Sequence, residues 1–168
     1  VYRPSEDKYL TFEVERKTIE IPMVTSKMLD NNIGYVAVYE FEETTSEQFN
    51  QAIDALTAQG MKGLIIDLRD NPGGLVNSAT AILDRILSKD QLLVYTVDKN
   101  GKKQEEYTED DETIDVPISV LINGNSASAS EIVSGCLQDY GKAKLVGTTS
   151  FGKGIVQYVL PLGDGSAI

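Results

Sequence analysis

Short apolar runs alternate along the chain with stretches in which apolar residues recur at helical spacing. The runs are rich in β-branched residues and occupy 33–41, 63–68, 116–122, 143–147 and 155–160. Runs of this length bounded by turn residues predict buried strands of the kind found in parallel sheets. Because strands that alternate with helices are typical of βαβ units, the pattern predicts an α/β fold with a mostly parallel sheet.

The helical spacing predicts three helices. The first begins at a capping box formed by Thr45 and Gln48 and ends before Gly60, and the third spans 131–140. The apolar face of the first helix consists of Phe49, Ala52, Ile53 and Leu56, and that of the second of Leu75, Ala79, Ile82, Leu83 and Ile86. One-sided faces of this kind pack a helix against a sheet.

Two further segments have other patterns. Residues 9–22 alternate between apolar and polar, which predicts one or two half-exposed strands, the short N-terminal β segment of the fold. Residues 98–115 are strongly acidic and contain the turn signal Asn100-Gly101, so we expect a solvated hairpin or loop. Their acidic residues lack the spacing of an EF-hand calcium loop.

The composition narrows the possible chemistry. The 168 residues include 26 acidic and 15 basic side chains, a net charge of −11, no histidine and one cysteine, Cys136. The chain alone therefore cannot form a Ser-His-Asp triad, a Cys-His pair, a histidine-ligated metal site or an internal disulfide. The acidic balance argues against nucleic acid or an anionic membrane surface as a partner. We expect no metal ion and no cofactor.

The segment 123–131 links a buried strand to a helix through small residues, among them Ser126, Ser128 and Ser130. Such a link lifts a serine onto a turn at the helix N-terminus, where unpaired N–H groups can stabilise an alkoxide or a tetrahedral oxyanion. N-capping by Ser128 or Ser130 would explain the same residues without catalysis.

A nucleophilic serine in a chain without histidine needs another base, and Lys153 is the best placed lysine. It lies between Gly152 and Gly154 and beside Phe151, whose ring would help to exclude water. Burial can lower the pKa of a lysine toward neutrality and make it a base. Gln157, four residues further on, could orient the amine. A lone lysine in a Gly-Lys-Gly loop is more often a phosphate contact or a surface charge, so composition alone does not decide.

The turn Asn71-Pro-Gly-Gly74 follows an apolar strand and precedes a helix. It can be an ordinary turn with a flexible helix entry. Alternatively, its glycine amides face an active serine and supply a second oxyanion donor. The turn matches neither the Walker A nor the dinucleotide-binding glycine pattern.

Four ordered strings resemble the C-terminal processing peptidases, also called carboxyl-terminal or tail-specific proteases. The strings are Gly34-Tyr-Val-Ala-Val, Leu64-Ile-Ile-Asp-Leu-Arg-Asp-Asn-Pro-Gly-Gly74, Gly124-Asn-Ser-Ala-Ser-Ala-Ser-Glu-Ile132, and Gly147 through Phe151-Gly-Lys-Gly154 to Gln157. They cover most of residues 33–160. The family consists of serine peptidases with a Ser-Lys pair, and the resemblance implies a peptidase core with a crotonase/ClpP-like fold.

The resemblance also implies roles for individual residues. Ser128 matches the nucleophile, Lys153 the general base and Gln157 the residue that orients the lysine. The oxyanion donors would be the amide of Ala129 and one from either Gly73 or Gly74, with Gly73 favoured but not separated from Gly74. Ser128 would attack a peptide carbonyl near the C-terminus of a protein substrate.

The resemblance finally implies a setting for this core. Residues 1–22 would be the residual end of a PDZ domain with its connecting strands, and residues 23–168 a C-terminally truncated serine peptidase core. Substrates would have apolar C-terminal tails, in an extracytoplasmic compartment of a bacterium (secreted, cell-envelope or periplasmic). Membrane contact would come only through a missing N-terminal anchor, and a homo-oligomer is left open.

Two other functions are open at this point. One is an inactive peptidase relative that only binds peptides or serves as a scaffold. The other is an acyl-CoA enzyme on the related crotonase-like fold, for which an acidic chain offers little binding surface.

Overall fold

The computed structural model describes residues 1–17, 19 and 21–168 of the chain. In chain order its strands and helices are β1 (Tyr2–Arg3), β2 (Lys8–Tyr9), β3 (Val24–Leu29), β4 (Ile33–Val38), α1 (Thr45–Ala58), β5 (Gly63–Asp67), α2 (Val76–Asp84), β6 (Leu92–Val97), β7 (Lys103–Tyr107), β8 (Ile118–Ile122), α3 (Ala129–Asp139) and β9 (Ala143–Gly147). Short 3-10 turns lie at Pro4–Glu6 and Asp30–Asn32.

Five of these strands form one sheet in the order β3-β4-β5-β8-β9. Strand β3 runs antiparallel to β4, whereas the β4-β5, β5-β8 and β8-β9 pairs are parallel. The prediction of an α/β fold with a mostly parallel sheet is thereby confirmed. The name crotonase/ClpP-like stays a prediction.

The core lies between this sheet and the three helices. Val36, Ile66 and Val120 of the strands share one buried cluster with Phe49 of α1 and Leu137 of α3. Helix α2 packs against both α1 and α3. The alternate strand positions thus meet the apolar helix faces that the sequence pattern predicts.

The parallel strands bring four loops to one edge of the sheet. Strands β4, β5, β8 and β9 all point the same way, so their carboxyl ends lie at that edge. The segments that follow them contain Phe41, the Asn71–Gly74 turn, Ser128 and Lys153 in turn. This is where ligands bind in open α/β sheets.

The prediction of strands over 9–22 is wrong for the described residues after Tyr9. Tyr9 ends β2, and residues 10–17, 19, 21 and 22 lie in no strand, while Thr18 and Glu20 are outside the described residues. Phe12 and Val14 are largely exposed. An alternating pattern forms a strand only where a neighbouring strand pairs with it. The domain division at residue 22 stays a prediction.

The prediction of a strand over 155–160 is also wrong. No residue of this segment lies in a strand, and the bridge between Pro161 and Ala167 is the only pairing nearby in the described part of the chain. Ile155, Tyr158 and Val159 are mostly exposed. Apolar composition alone cannot replace the missing partner strand.

Helix α1 begins at Thr45 as predicted, but without the predicted capping box. The side-chain oxygen of Gln48 accepts the N–H of Met23 at 2.8 Å, and the hydroxyl of Thr45 donates to the carbonyl of Glu40 at 2.9 Å. Gln48 therefore ties the helix to the start of β3. Gly60 follows the helix with a φ of 81°, which confirms it as the residue that ends the helix.

Other boundaries differ from the sequence pattern by a few residues. Helix α3 begins at Ala129 rather than 131, which places Ala129 at its first position. Strand β3 mixes polar and apolar residues and is not predicted. Strand β6 is not predicted either, although Leu92–Val97 is an almost entirely apolar run. Strands β6 and β7 form the antiparallel hairpin expected of the acidic segment, with every residue of β7 exposed.

Candidate active site

Ser128 lies on a strained turn between β8 and α3. Its backbone has a φ of 56° and a ψ of −115°, in the region that favours glycine. A residue other than glycine held there costs about 1–3 kcal/mol, and such residues cluster at functional sites. Ser128 is half-buried, and it precedes the first residue of the helix. The turn therefore places Ser128 at the amino end of α3, where the N–H of Ala129 has no acceptor in the described chain.

The two neighbouring serines have structural contacts instead. The hydroxyl of Ser126 donates to the carbonyl of Leu68 at 2.7 Å, and that of Ser130 donates to the carbonyl of Asn71 at 3.0 Å. Both serines are completely buried. Ser130 thus does not cap the helix, and both serines fasten the Ser128 turn to the segment that follows β5.

The glycine turn, Asn71–Gly74, packs directly against this serine. Gly73 and Gly74 have φ values of 105° and 131°. A Cβ on Gly73 would lie 2.7 Å from Cβ of Ser128, and one on Gly74 would lie 2.2 Å from the carbonyl oxygen of Phe41. Only glycine fits either position.

The two glycine amides differ in what they contact. The N–H of Gly73 donates to Oδ1 of Asn71 at 2.9 Å, and Gly73 is buried. The N–H of Gly74 has no acceptor among the described residues, and Gly74 is exposed. The N–H of Ala129 likewise donates to no group of the described chain. The two amides without an acceptor are therefore that of Ala129, directly after Ser128, and that of Gly74, in the glycine turn.

Glu131 joins the Ser128 turn to the loop of residues 148–154, which carries Lys153 and is called the lysine loop. Its carboxylate accepts the N–H of Ser128 at 2.9 Å, the hydroxyl of Ser150 at 2.7 Å, and the N–H groups of Gly152 at 2.7 Å and Lys153 at 2.9 Å. Burial alone would raise the pKa of Glu131, but these four hydrogen bonds outweigh it and hold the pKa below its ordinary value.

Glu131 is not among the site residues that the sequence predicts. Its position three residues after Ser128, at the third position of the helix, is the signal that could have found it. A glutamate there reaches back to the N-cap amide. Sequence spacing could not show that Glu131 also accepts hydrogen bonds from the lysine loop, because those contacts depend on where the chain lies after β9.

Lys153 is half-buried and contacts Gln157. Its Nζ donates to Oε1 of Gln157 at 3.5 Å, so the structure brings this predicted pair together. No hydrogen bond joins the amine of Lys153 to the hydroxyl of Ser128 in the described chain. Phe151 is 68% exposed, so the expectation that its ring excludes water is wrong.

An ion pair between the buried carboxylate of Asp67 and the exposed side chain of Arg69 lies at the end of β5, just before the glycine turn. The carboxylate of Asp67 accepts hydrogen bonds from Nη2 of Arg69 at 2.6 Å and from the hydroxyl of Tyr35 at 2.6 Å. Burial would raise the pKa of Asp67, but the hydrogen bonds from Arg69 and Tyr35 lower it overall. Asp67 is therefore a charged group held in place at the end of β5, close in the chain to the glycine turn.

A cleft of about 770 Å³ lies beside the lysine loop. Tyr95 and Val97 of β6 line one wall, and Gly154, Val156 and Tyr158 line the other. Gly154 and Val156 are the neighbours of Lys153 and Gln157 in the chain. The cleft thus offers apolar surface next to the candidate catalytic groups.

Metal ligands and membrane-spanning helices are the two remaining features that bear on the predicted partners. Within residues 1–17, 19 and 21–168, no group of three or more Cys, Asp or Glu side chains is arranged to hold a metal ion. In the same described residues, no helix combines the length and the apolar character needed to cross a bilayer.

The chain is similar to known peptidases over most of its length. The model of peptidase family S41 matches residues 32–168. The carboxy-terminal processing protease CtpB of Bacillus subtilis (strain 168) is 39% identical over 173 residues, which cover 100% of this chain and 36% of that protein. The carboxy-terminal processing protease CtpA of the same organism is 38% identical, with 95% of this chain and 34% of that protein covered.

A solved structure gives the same result for the fold. The photosystem II D1 C-terminal processing protease superposes with a TM-score of 0.77 and 30% identity, over 90% of this chain and 43% of that one. This chain spans about a third of the length of the two Bacillus relatives. The family match covers the four parallel strands of the sheet, the glycine turn, the Ser128 turn and the lysine loop. The chain therefore belongs to peptidase family S41.

Proposed function

We propose that this chain is the catalytic core of a serine endopeptidase in which Ser128 is the nucleophile and Lys153 the general base. The observation that carries the proposal is the strained backbone of Ser128 at the amino end of α3, with the Lys153 loop fastened to the same helical turn through Glu131. Family membership supports the same class of reaction.

The proposed reaction begins with proton transfer from the Ser128 hydroxyl to the neutral amine of Lys153. The Ser128 oxygen attacks a peptide carbonyl and gives a tetrahedral intermediate. The Lys153 ammonium then protonates the leaving amine, which leaves an acyl-enzyme, and the neutral amine activates a water molecule that hydrolyses it. Gln157 orients the amine through the hydrogen bond to its Oε1.

The N–H groups of Ala129 and Gly74 are the proposed oxyanion donors. Gly73 is the poorer candidate because its N–H already donates to Asn71. Ala129 has the additional benefit of the positive end of the α3 dipole. Removal of one oxyanion donor in a serine peptidase typically lowers kcat by about 10²–10³-fold.

The proposed substrates are proteins with apolar C-terminal tails. The cleft between β6 and the 154–158 segment offers apolar side chains such as Val97 and Val156 to such a tail, beside polar ones that include Gln104, and an extended tail can lie beside a strand. The remaining features of the longer protein are part of the same proposal: an adjoining PDZ domain that ends near residue 22, an extracytoplasmic location in a bacterium, an anchor as its only membrane contact, and self-association as an open possibility.

The test uses the longer protein that contains this chain, with fluorescein-labelled casein as substrate and a fluorophosphonate as serine probe. Ser128→Ala and Lys153→Ala should each lower cleavage by several orders of magnitude, because the two groups act as a unit. Lys153→Arg should fail equally, since arginine does not deprotonate. Lys144→Ala, which alters an exposed lysine of β9, is the matched control.

Mass spectrometry should locate the fluorophosphonate adduct on Ser128. Unchanged cleavage in the Ser128→Ala or Lys153→Ala variant would contradict the assignment. Peptide binding without any adduct on Ser128 would instead identify a binding module.

A further inference from the structure

The glycine turn contains a residue whose contacts go beyond those of an ordinary turn. Asn71 is completely buried. Its Nδ2 donates to the carbonyl of Val38 at 2.8 Å, and its Oδ1 accepts the N–H of Gly73 at 2.9 Å. The side chain therefore connects the end of β4 to the middle of the turn.

The main chain of Asn71 is held from the opposite side. Its carbonyl oxygen accepts the N–H of Ala127 at 3.1 Å and the hydroxyl of Ser130 at 3.0 Å. Those two residues flank Ser128. Asn71 thus touches the nucleophile turn through its backbone and the glycine amide through its side chain.

These contacts have a consequence for the two adjacent glycine amides. A flexible Gly-Gly pair could direct either N–H toward a substrate, because glycine populates many backbone conformations. The Asn71 side chain engages the Gly73 N–H, while the N–H of Gly74 is left without an acceptor in the described chain. A buried amide and carbonyl that already have partners favour one conformation of the turn.

We propose that Asn71 is a positioning residue that selects the Gly74 amide as the oxyanion donor by holding the Gly73 amide away from the substrate. This inference rests on the proposed function, since it assumes that Ser128 attacks a carbonyl. Asn71 acts through the turn and does not touch the reacting atoms.

The kinetic test compares Asn71→Ala with wild type in the longer protein. The variant should lower kcat on fluorescein-labelled casein by about 10²–10³-fold, the effect of losing one oxyanion donor, with KM unchanged. The rate of Ser128 labelling by a fluorophosphonate should fall by a similar factor. Ser134→Ala is the matched control, because the buried Ser134 hydroxyl donates to Ser130 within its own helix and does not reach the turn.

A second measurement uses the wild-type protein, so it holds even if Asn71→Ala fails to fold. Amide hydrogen exchange should show a protected Gly73 N–H and a fast-exchanging Gly74 N–H. After phosphonylation of Ser128, the NMR signal of the Gly74 amide should move downfield while that of Gly73 stays in place.

Several results would overturn the inference. A folded Asn71→Ala protein with wild-type kcat would do so, as would a change in KM alone. A Gly73 amide that exchanges fast or shifts on labelling would also contradict it. If wild type forms no adduct on Ser128, the proposed function fails instead, and the exchange pattern of the free protein still decides whether Asn71 holds Gly73.

Discussion

The carboxylate of Glu131 accepts the backbone N–H of Lys153 through Oε2, the same oxygen that accepts the backbone N–H of Ser128, at 2.9 Å in each case. The loop that carries the candidate base is therefore held in a fixed position relative to the helical turn that carries the candidate nucleophile. The link uses main-chain donors, so it fixes where the loop passes while leaving the Lys153 side chain free to reach Gln157.

We expect Glu131→Gln to weaken this link. A neutral amide accepts hydrogen bonds less strongly than a carboxylate, and its NH₂ group would face N–H donors. The variant should lose about 1.5–3 kcal/mol of stability, the range for hydrogen bonds to charged groups, and its kcat/KM should fall. Denaturant unfolding and casein cleavage measure the two effects. Glu43→Gln, at an exposed position before α1, should change neither.

The contribution of Glu131 should also depend on pH. Its pKa in the folded protein lies below the ordinary value, so its stabilisation is complete above the unfolded pKa of about 4.3 and is lost as the pH falls through the folded value. The stability difference between wild type and Glu131→Gln should therefore be constant from pH 7 down to about pH 5 and should shrink in stronger acid. A difference that grows with acidity would contradict this sign.

The two glycines of the turn should not tolerate alanine. At Gly74 a Cβ would lie 2.2 Å from the Phe41 carbonyl oxygen, and the positive φ alone costs about 1–3 kcal/mol. We expect Gly74→Ala and Gly73→Ala to lower the melting temperature and abolish fluorophosphonate labelling. Gly135→Ala is the matched control, because Gly135 lies in α3, where a Cβ would meet no neighbouring segment within 4 Å, and it should gain about 0.5–1 kcal/mol.

Replacement of Arg69 should destabilise the protein, because the buried Asp67 carboxylate would lose its ion-pair partner. Asp67 has a side chain only 7% exposed, so Arg69→Met should destabilise by about 1–3 kcal/mol at pH 7. Because the pKa of Asp67 is lowered in the folded protein, this loss should decrease in acid as Asp67 is protonated. Arg85→Met removes a pair of ion pairs to exposed carboxylates and should cost about 0–1 kcal/mol.

Cys136 should be unreactive in the native protein. Burial raises the pKa of its thiol to about 11, and Asp139 adds to the effect. Since the thiolate is the nucleophile, iodoacetamide at pH 8 should alkylate Cys136 only after denaturation. Mass spectrometry of the native and denatured protein checks this, and rapid native alkylation would contradict it.

The parts of the fold that follow from local pattern were predictable. The runs that become β4, β5 and β8 are apolar because none of their residues is exposed, and Phe49, Ile53 and Leu56 recur at the spacing of one helix face. The same local logic placed Ser128 next to the start of α3 and Gly73 and Gly74 in a turn.

The remaining features depend on contacts between distant segments. Strand β3 forms because β4 offers an open edge to Val24–Leu29, and the apolar 155–160 segment stays out of the sheet because no described strand pairs with it. Spacing could not show that Asn71 engages the Gly73 amide or that Glu131 holds Lys153. Hydrogen-bond allocation among adjacent amides is a property of the folded chain.

The alternation of Ser126, Ser128 and Ser130 has a consequence for any scan of this loop by mutagenesis. The hydroxyls of Ser126 and Ser130 hold the loop against the segment after β5. We expect their removal to displace Ser128 and to lower the proposed activity, as removal of Ser128 itself should. Loss of activity in a variant therefore does not show which of these three serines is the nucleophile. A covalent adduct mapped to one of the three hydroxyls does.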